Sequence, residues 1–106
     1  MELIQNRTKI NGRNCIEFAN KKPFSKITDY LKIVDESGCW SNIGKIKLSE
    51  ETSFQHKLSL DSYCLNQTII IHELLHALGI IHEHQRPDRD SWIELNMQNM
   101  KKGDSS

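Results

Sequence analysis

Four of the five histidines in this sequence lie within one short segment, and their spacing suits a metal centre. His72 and His76 are four residues apart, so on a helix their imidazoles lie one above the other on the same face. Two imidazoles at that spacing can reach a single zinc ion, with Zn–N distances of about 2.0–2.1 Å. Glu73 is next to the first histidine and projects toward the same cleft. It can take a proton from a metal-bound water and act as a general base.

The residues after His76 supply a third ligand, which a catalytic zinc site needs besides one open position for water. Gly79 follows three residues later and can adopt the left-handed conformation that ends a helix and turns the chain back. His82 follows Gly79 by three residues, so it can lie close enough to the other two histidines to complete the site. The pattern H-E-x-x-H-x-x-G-x-x-H is far more specific than its first five residues, and it disfavours the alternative of two ordinary histidines on a helix face.

Other polar residues near this motif have simpler interpretations. His84 and His56 are predicted to be solvated surface side chains. The charged run from Arg86 to Asp90 is compatible both with a solvated turn and with a functional segment, and the sequence leaves the two open.

The element that must position the histidines is predicted to be an amphipathic helix from Asn66 to about Ile80. Its apolar residues follow the 3.6-residue period and are expected to face the core. They are Ile71, Leu74, Leu75 and Leu78. Upstream, residues 1–8 are compatible with a helix and Asn11 to Asn14 with a turn. Short strands are predicted from apolar and polar patterning at residues 15–19, 30–34, 43–49 and 56–60.

Composition limits the classes of function. The 106 residues suffice for one domain, and 14 basic residues balance 14 acidic residues without a basic stripe. Nucleic acid and anionic membranes are therefore not expected as partners. The sequence contains no apolar run long enough to span a bilayer and no signal peptide. Three cysteines leave one thiol over if a single disulfide forms.

The segment HELLHALGIIHEHQRPDRD, residues 72–90, resembles the zinc signature of the astacin family of metalloendopeptidases, which are metzincins. The segments NCIEF, DYLKIVDESGCWSNIGK and KLSLDSYCLNQTIIIHE are similar to successive pieces of the N-terminal subdomain of that family. SWIELNMQNM is similar to the segment that follows the signature. The resemblance thus extends over nearly the whole chain.

The resemblance implies an α+β fold, in which a twisted, mostly parallel sheet with an antiparallel edge strand lies against an active-site helix. It assigns HKLSL, residues 56–60, as the edge strand, to which an extended polypeptide substrate could add. It also implies one zinc ion per chain, bound by His72, His76 and His82. Glu73 would be the general base, and Glu83 would match the glutamate that anchors the mature N-terminus.

The resemblance also implies a disulfide between Cys39 and Cys64, whereas the expected partner of Cys15 has no counterpart in the sequence. Residues 1–106 are therefore expected to be a partial peptidase domain that lacks the C-terminal subdomain and the extreme N-terminus. The family suggests secretion. Two functions follow: a zinc-dependent metalloendopeptidase, or an inactive fragment of such an enzyme that binds zinc or peptide.

Overall fold

The computed structural model describes residues 1–45 and 56–99. Short 3₁₀ turns accompany the regular elements, which include both helices and strands, so the predicted α+β class is confirmed. In chain order the elements are helix α1 (Glu2–Arg7), strands β1 (Leu31–Val34), β2 (Cys39–Ser41) and β3 (His56–Leu60), and helix α2 (Gln67–Ala77).

The sheet of the described residues has the strand order β1-β3-β2. β3 pairs in parallel with β1, with Leu31 opposite His56, and antiparallel with β2, with Cys39 opposite Leu60. The expectation that residues 56–60 form the edge strand is therefore wrong, because both sides of β3 are paired. The antiparallel strand at the edge of this sheet is β2.

The burial of β3 explains its central position. Leu58 and Ser59 point to opposite faces of the strand, and both have 0% exposure. The hydroxyl of Ser59 donates to the carbonyl of Glu36 at 2.8 Å and accepts from the Glu36 N–H at 3.1 Å. A polar side chain can thus be buried in the middle of the sheet because its hydrogen bonds are satisfied.

The N-terminal region differs in part from its prediction. The helix and the turn are confirmed, since α1 begins at Glu2 and the turn places Asn11 at φ 50° and Gly12 at φ 77°. The predicted strand at residues 15–19 is wrong. Ile16 and Phe18 alternate as in a strand and pack against the core, but the Phe18 N–H bonds to the side chain of Gln5 at 2.9 Å and not to a neighbouring strand.

Two other strand predictions have different outcomes. Residues 30–34 are confirmed as a strand in β1. Of residues 43–49, the first three are not in a strand and the last four lie outside the described residues. β2 was missed because its three residues are too few to show a period of two.

The hydrophobic core lies between α2, the sheet and α1. Its buried apolar members are Ile4, Leu58 and Leu74. Of the predicted helical stripe, Leu74 is buried and Ile71 and Leu75 are half-buried, whereas Leu78 is 40% exposed. Leu78 is therefore not a core residue of the described structure, because α2 ends at Ala77 and the chain turns there.

A disulfide joins Cys39 in β2 to Cys64 in the 3₁₀ turn that precedes α2. This is the pairing that the family resemblance implies. Cys64 is fully buried, and Cys15 is exposed and free. Within the described residues, no helix is both long and apolar enough to cross a membrane.

Candidate metal centre

The start of α2 is fixed by a side-chain cap. Asn66 adopts an extended backbone, and its Oδ1 accepts a hydrogen bond from the Thr68 N–H at 2.8 Å. Such a cap satisfies one of the N–H groups that have no partner in the first turn of a helix. The helix that follows carries His72 and His76 on one face, as their spacing predicts.

The end of α2 is a Schellman motif built on Gly79, which has φ 98°. The Gly79 N–H donates to the His76 carbonyl at 2.8 Å, and the Ile80 N–H donates to the Leu75 carbonyl at 3.0 Å. The left-handed residue reverses the chain, so the next residues return toward the helix. The predicted role of Gly79 in ending the helix is thus observed.

A second glycine brings the loop after β2 against this turn. The Gly44 N–H also donates to the His76 carbonyl, at 2.9 Å. A Cβ on Gly44 would lie 3.4 Å from the Cα of Gly79, so the two backbones leave little free space between them. The sequence offered no signal for this contact beyond the glycine itself, because the approach joins residues that are 35 positions apart.

The three histidines converge on one point. The Nε2 of His76 lies 3.0 Å from that of His72 and 3.1 Å from that of His82, and the latter two atoms are 3.3 Å apart. Ligand nitrogens at about 2.0–2.1 Å from one tetrahedral zinc ion are separated by about 3.3 Å. The donor set therefore fits a zinc ion. These three residues are the only group of potential metal ligands found in the described part of the chain.

Hydrogen bonding alone does not account for this triangle. The Nδ1 of His76 lies 2.7 Å from the carbonyl oxygen of Ile80, which can only accept. Nδ1 must therefore carry the proton, so the Nε2 of a neutral His76 presents a lone pair. Each ring nitrogen has one in-plane position, either a hydrogen or a lone pair, so three mutual contacts cannot all be hydrogen bonds. A cation shared by three lone pairs satisfies them together.

Glu73 lies on the same helix, with only 6% of its surface exposed. Its Oε2 is buried and has no hydrogen-bond partner among the described residues. Burying a carboxylate oxygen without a hydrogen-bond partner costs free energy. Such oxygens are therefore unusual unless they interact with a group such as a water or an ion. The carboxylate is thus available to bind a proton.

His82 differs from the other two histidines because it lies beyond the helix and is exposed. Partial desolvation lowers the pKa of His82 below its ordinary value of 6.5, and the nearby His76 and His72 lower the pKa further. The neutral ring, which can bind a metal, is therefore favoured. His84, predicted to be solvated, is exposed but stacks on His82 with ring centroids 5.3 Å apart.

The remaining predicted residues lie around this centre or away from it. The Oε2 of Glu83 accepts a hydrogen bond from Arg86 at 3.1 Å, and Glu83 is mostly exposed. The charged run is a bonded turn, in which Arg86 also binds both carboxylate oxygens of Asp88 at 2.9 Å. These bonds raise the pKa of Arg86 and lower that of Asp88.

His56 is half-buried in β3, with Nε2 3.1 Å from the Asn42 carbonyl, so the prediction of a solvated side chain is wrong.

Three converging imidazoles beside a buried glutamate on an α+β scaffold form the kind of centre found in metallopeptidases. The chain belongs to the astacin family of peptidases, whose family model matches residues 2–106.

Individual relatives agree with this assignment. Zinc metalloproteinase nas-4 of Caenorhabditis elegans is 42% identical over 91 residues, which are 86% of this chain and 27% of the relative. High choriolytic enzyme 2 of Oryzias latipes is 40% identical, covering 85% of this chain and 29% of the relative. A solved structure of high choriolytic enzyme 1, a hatching enzyme zinc-protease of medaka, matches with a TM-score of 0.67 and 36% identity, over 86% of this chain and 42% of that chain. The chain thus spans less than half the length of each of these relatives.

Proposed function

We propose that this chain is the zinc-binding part of a metalloendopeptidase that hydrolyses polypeptides. The observation that carries the proposal is the convergence of three Nε2 atoms within 3.3 Å of one another, with the lone pair of His76 fixed by the Ile80 carbonyl. His72, His76 and His82 would hold one zinc ion per chain. The names of the relatives, zinc metalloproteinase and zinc-protease, support the choice of metal.

Glu73 is the residue that moves protons in this proposal. A zinc ion held by the three histidines would supply a Lewis acid, which would lower the pKa of water to about 7 and polarise a peptide carbonyl. The buried Oε2 of Glu73 accepts the proton lost by the attacking water and delivers it to the leaving amine. The reaction needs no covalent link between the enzyme and the peptide.

The edge strand β2 is the surface on which a substrate would lie. Its inner side pairs with β3, and no strand pairs with its other side among the described residues. An extended peptide can add to such an edge through its backbone, which tolerates varied side chains. Gly44, just beyond β2, donates to the His76 carbonyl, so the edge leads to the metal centre.

The disulfide supports a location outside the cytosol. Cys39 and Cys64 are bonded, and such bonds form and persist mainly in oxidising compartments. We therefore propose that the protein is secreted.

A second candidate is a chain of the same family that binds zinc or peptide without cleaving. It is favoured by the exposure of His72 and His82. Ligands that are exposed to solvent leave a substrate with few contacts that orient it, and orientation can contribute about 7–11 kcal/mol to a reaction in favourable intramolecular cases.

The test of the mechanism is cleavage of unfolded casein by this chain and by a form extended to the length of its relatives. In the extended form, Glu73→Gln is expected to retain zinc and to lose cleavage by about 10²- to 10⁴-fold, because general base catalysis contributes that much. Glu17→Gln is the matched control, since it changes an exposed glutamate that is far along the chain from the triad. Undiminished cleavage by Glu73→Gln would exclude the mechanism, whereas chelator-sensitive cleavage by the 106-residue chain would exclude the non-cleaving alternative.

The ligand set has its own test, which does not depend on activity. His76→Ala is expected to abolish the binding of about one zinc ion per chain, because it removes the central ligand. His56→Ala is the control, since His56 lies in β3 outside the triad. Metal analysis of the purified proteins decides the assignment, and unchanged zinc in His76→Ala would contradict it.

A further inference from the structure

The three proposed ligands are held in place to different degrees. His76 is buried, and a hydrogen bond to the Ile80 carbonyl fixes its ring. His72 lies within α2, whose backbone holds it. His82 is exposed, follows the turn at Gly79, and has an extended backbone with φ −64° and ψ 142°. Something other than a helix must therefore orient its ring.

No hydrogen bond performs this task among the described residues. The Nε2 of His82 contacts the other two histidines. Its Nδ1 has no hydrogen-bond partner among the described residues. Metal-binding histidines usually donate their other ring N–H to a carbonyl, a carboxylate or a water, which fixes the ring. His76 follows this rule in the described structure, whereas His82 does not.

The ring of His84 lies where it can replace that restraint. It stacks on His82 with centroids 5.3 Å apart and planes inclined by only 17°. The separation falls within the range of about 4.5–7 Å that is favourable for aromatic pairs, and the nearly parallel planes correspond to a stacked arrangement. A stacked neighbour restricts rotation of the His82 ring about its side-chain bonds without using either ring nitrogen.

The turn that carries His84 is itself held. Glu83–Gln85 form a 3₁₀ turn, in which the Gln85 N–H donates to the His82 carbonyl at 3.0 Å. The Nη1 of Arg89 donates to the His84 carbonyl at 2.9 Å. The backbone of His84 is thus tied both to the ligand that it covers and to the following turn, so the stack is part of a bonded loop.

We propose that His84 is a positioning residue, whose ring stacks on His82 and holds that ligand in the orientation that binds zinc. This inference rests on the proposed zinc site. It assigns a function to a side chain that is otherwise a solvated surface histidine. It also explains how a loop residue can act with two helical residues in one site.

The experiment compares zinc binding by the complete 106-residue chain and three variants, using competition with a chromophoric chelator. His84→Ala is expected to weaken zinc binding by about 3- to 10-fold, because an aromatic pair contributes that much in affinity. His84→Phe restores a flat ring without nitrogens and is expected to bind within about twofold of the unmodified chain. Gln85→Ala, in the same turn, is the matched control and is expected to have no effect.

Two further measurements separate positioning from folding. Thermal unfolding of the metal-free proteins is expected to be the same for His84→Ala and Gln85→Ala, since His84 is exposed. With cobalt(II) in place of zinc, the visible absorption bands are expected to weaken or shift in His84→Ala and to return in His84→Phe, because they report the geometry of the ligands.

The results that would overturn the inference are distinct from those that would overturn the zinc site. Equal zinc affinity in His84→Ala, or an equal loss in His84→Phe, would exclude the stacking role, and the latter would indicate that the nitrogens of His84 are required. A lower metal-free stability that accounts for the whole loss of affinity would also exclude it. Absence of zinc binding by the unmodified chain would refute the site itself, and with it the inference.

Discussion

The hydrogen bond from His76 to the Ile80 carbonyl is the single contact that most constrains the chemistry of this centre. It is 2.7 Å long and requires the proton on Nδ1, so that Nε2 presents a lone pair to the other two histidines. In metal sites, such an outer partner orients the ring and makes the ligand more basic. The proposed ligand His76 is thus supported by a backbone carbonyl of the turn that follows the helix.

The pH dependence of zinc binding follows from the same residues. The pKa of His82 is below 6.5, so its neutral form persists to a lower pH than that of an ordinary histidine. We expect zinc affinity to fall as the pH drops toward and below the lowered pKa of His82, because protons then compete with zinc for the ligand nitrogen. Titration with zinc at several pH values measures this effect, and an affinity that stays constant at low pH would contradict it.

Without metal, the depressed pKa of His82 has a consequence for stability. Between its folded pKa and 6.5 the unfolded chain binds more protons than the folded chain. The free energy of unfolding is therefore expected to decrease as the pH falls through this window. Thermal unfolding in the presence of a chelator measures the change, and a melting temperature that rises on acidification through the window would contradict the expected sign.

At the scale of elements, the important feature is the junction between α2 and the loop that carries His82. The Schellman motif reverses the chain at Gly79, and the Gly44 loop packs against it. These contacts hold helix α2 and the loop that carries His82 in one relative position. A site whose three ligands lie on two different elements requires this. The extended backbone of Asn66 and its side-chain cap determine where this helix starts.

Gly79→Ala tests this junction. Its φ of 98° is unfavourable for a residue with a side chain, so the substitution is expected to destabilise the fold by about 1–2 kcal/mol and to weaken zinc binding. Gly12→Ala is the matched control, because Gly12 has φ 77° but lies in a turn far along the chain from the site. Gly12→Ala is expected to reduce the stability of the fold without weakening zinc binding. Equal zinc affinity in the two variants would show that the turn at Gly79 does not position His82.

At the scale of the whole molecule, few residues hold the fold together. The described chain has only three buried large apolar side chains in its core, Ile4, Leu58 and Leu74, so other constraints matter more than in a larger domain. The disulfide from Cys39 to Cys64 is one of them, since it joins the edge strand to the turn before α2.

Removal of this disulfide is therefore expected to be costly. The bond closes a loop with a sequence separation of 25 residues. In the chain-entropy model such a loop contributes about 3.5 kcal/mol to the free energy of unfolding. The Cys39→Ser, Cys64→Ser double variant should lose about that amount in denaturant unfolding, whereas Cys15→Ser, which changes an exposed free thiol, should lose almost none. Peptide mapping that found Cys15 bonded to either of the other two would contradict the pairing.

For helix α2 and strand β3, local patterns in the sequence were sufficient to determine the element. The 3.6-residue period of the apolar residues and the glycine after them led to helix α2 within three residues of its observed end. The alternation of residues 56–60 gave β3 with its observed bounds. These patterns suffice because helix and strand periods are properties of neighbouring residues.

The tertiary structure alone decided how these elements combine. Residues 15–19 alternate like a strand but have no strand partner among the described residues, and residues 56–60 form the central strand and not the edge. No periodic pattern in the sequence predicts the contact of Gly44 with Gly79. The same holds for the stacking of His84 on His82. The physical reason is that strand neighbours, close backbone approaches and ring contacts across a turn depend on long-range packing, which no local pattern of residue types specifies.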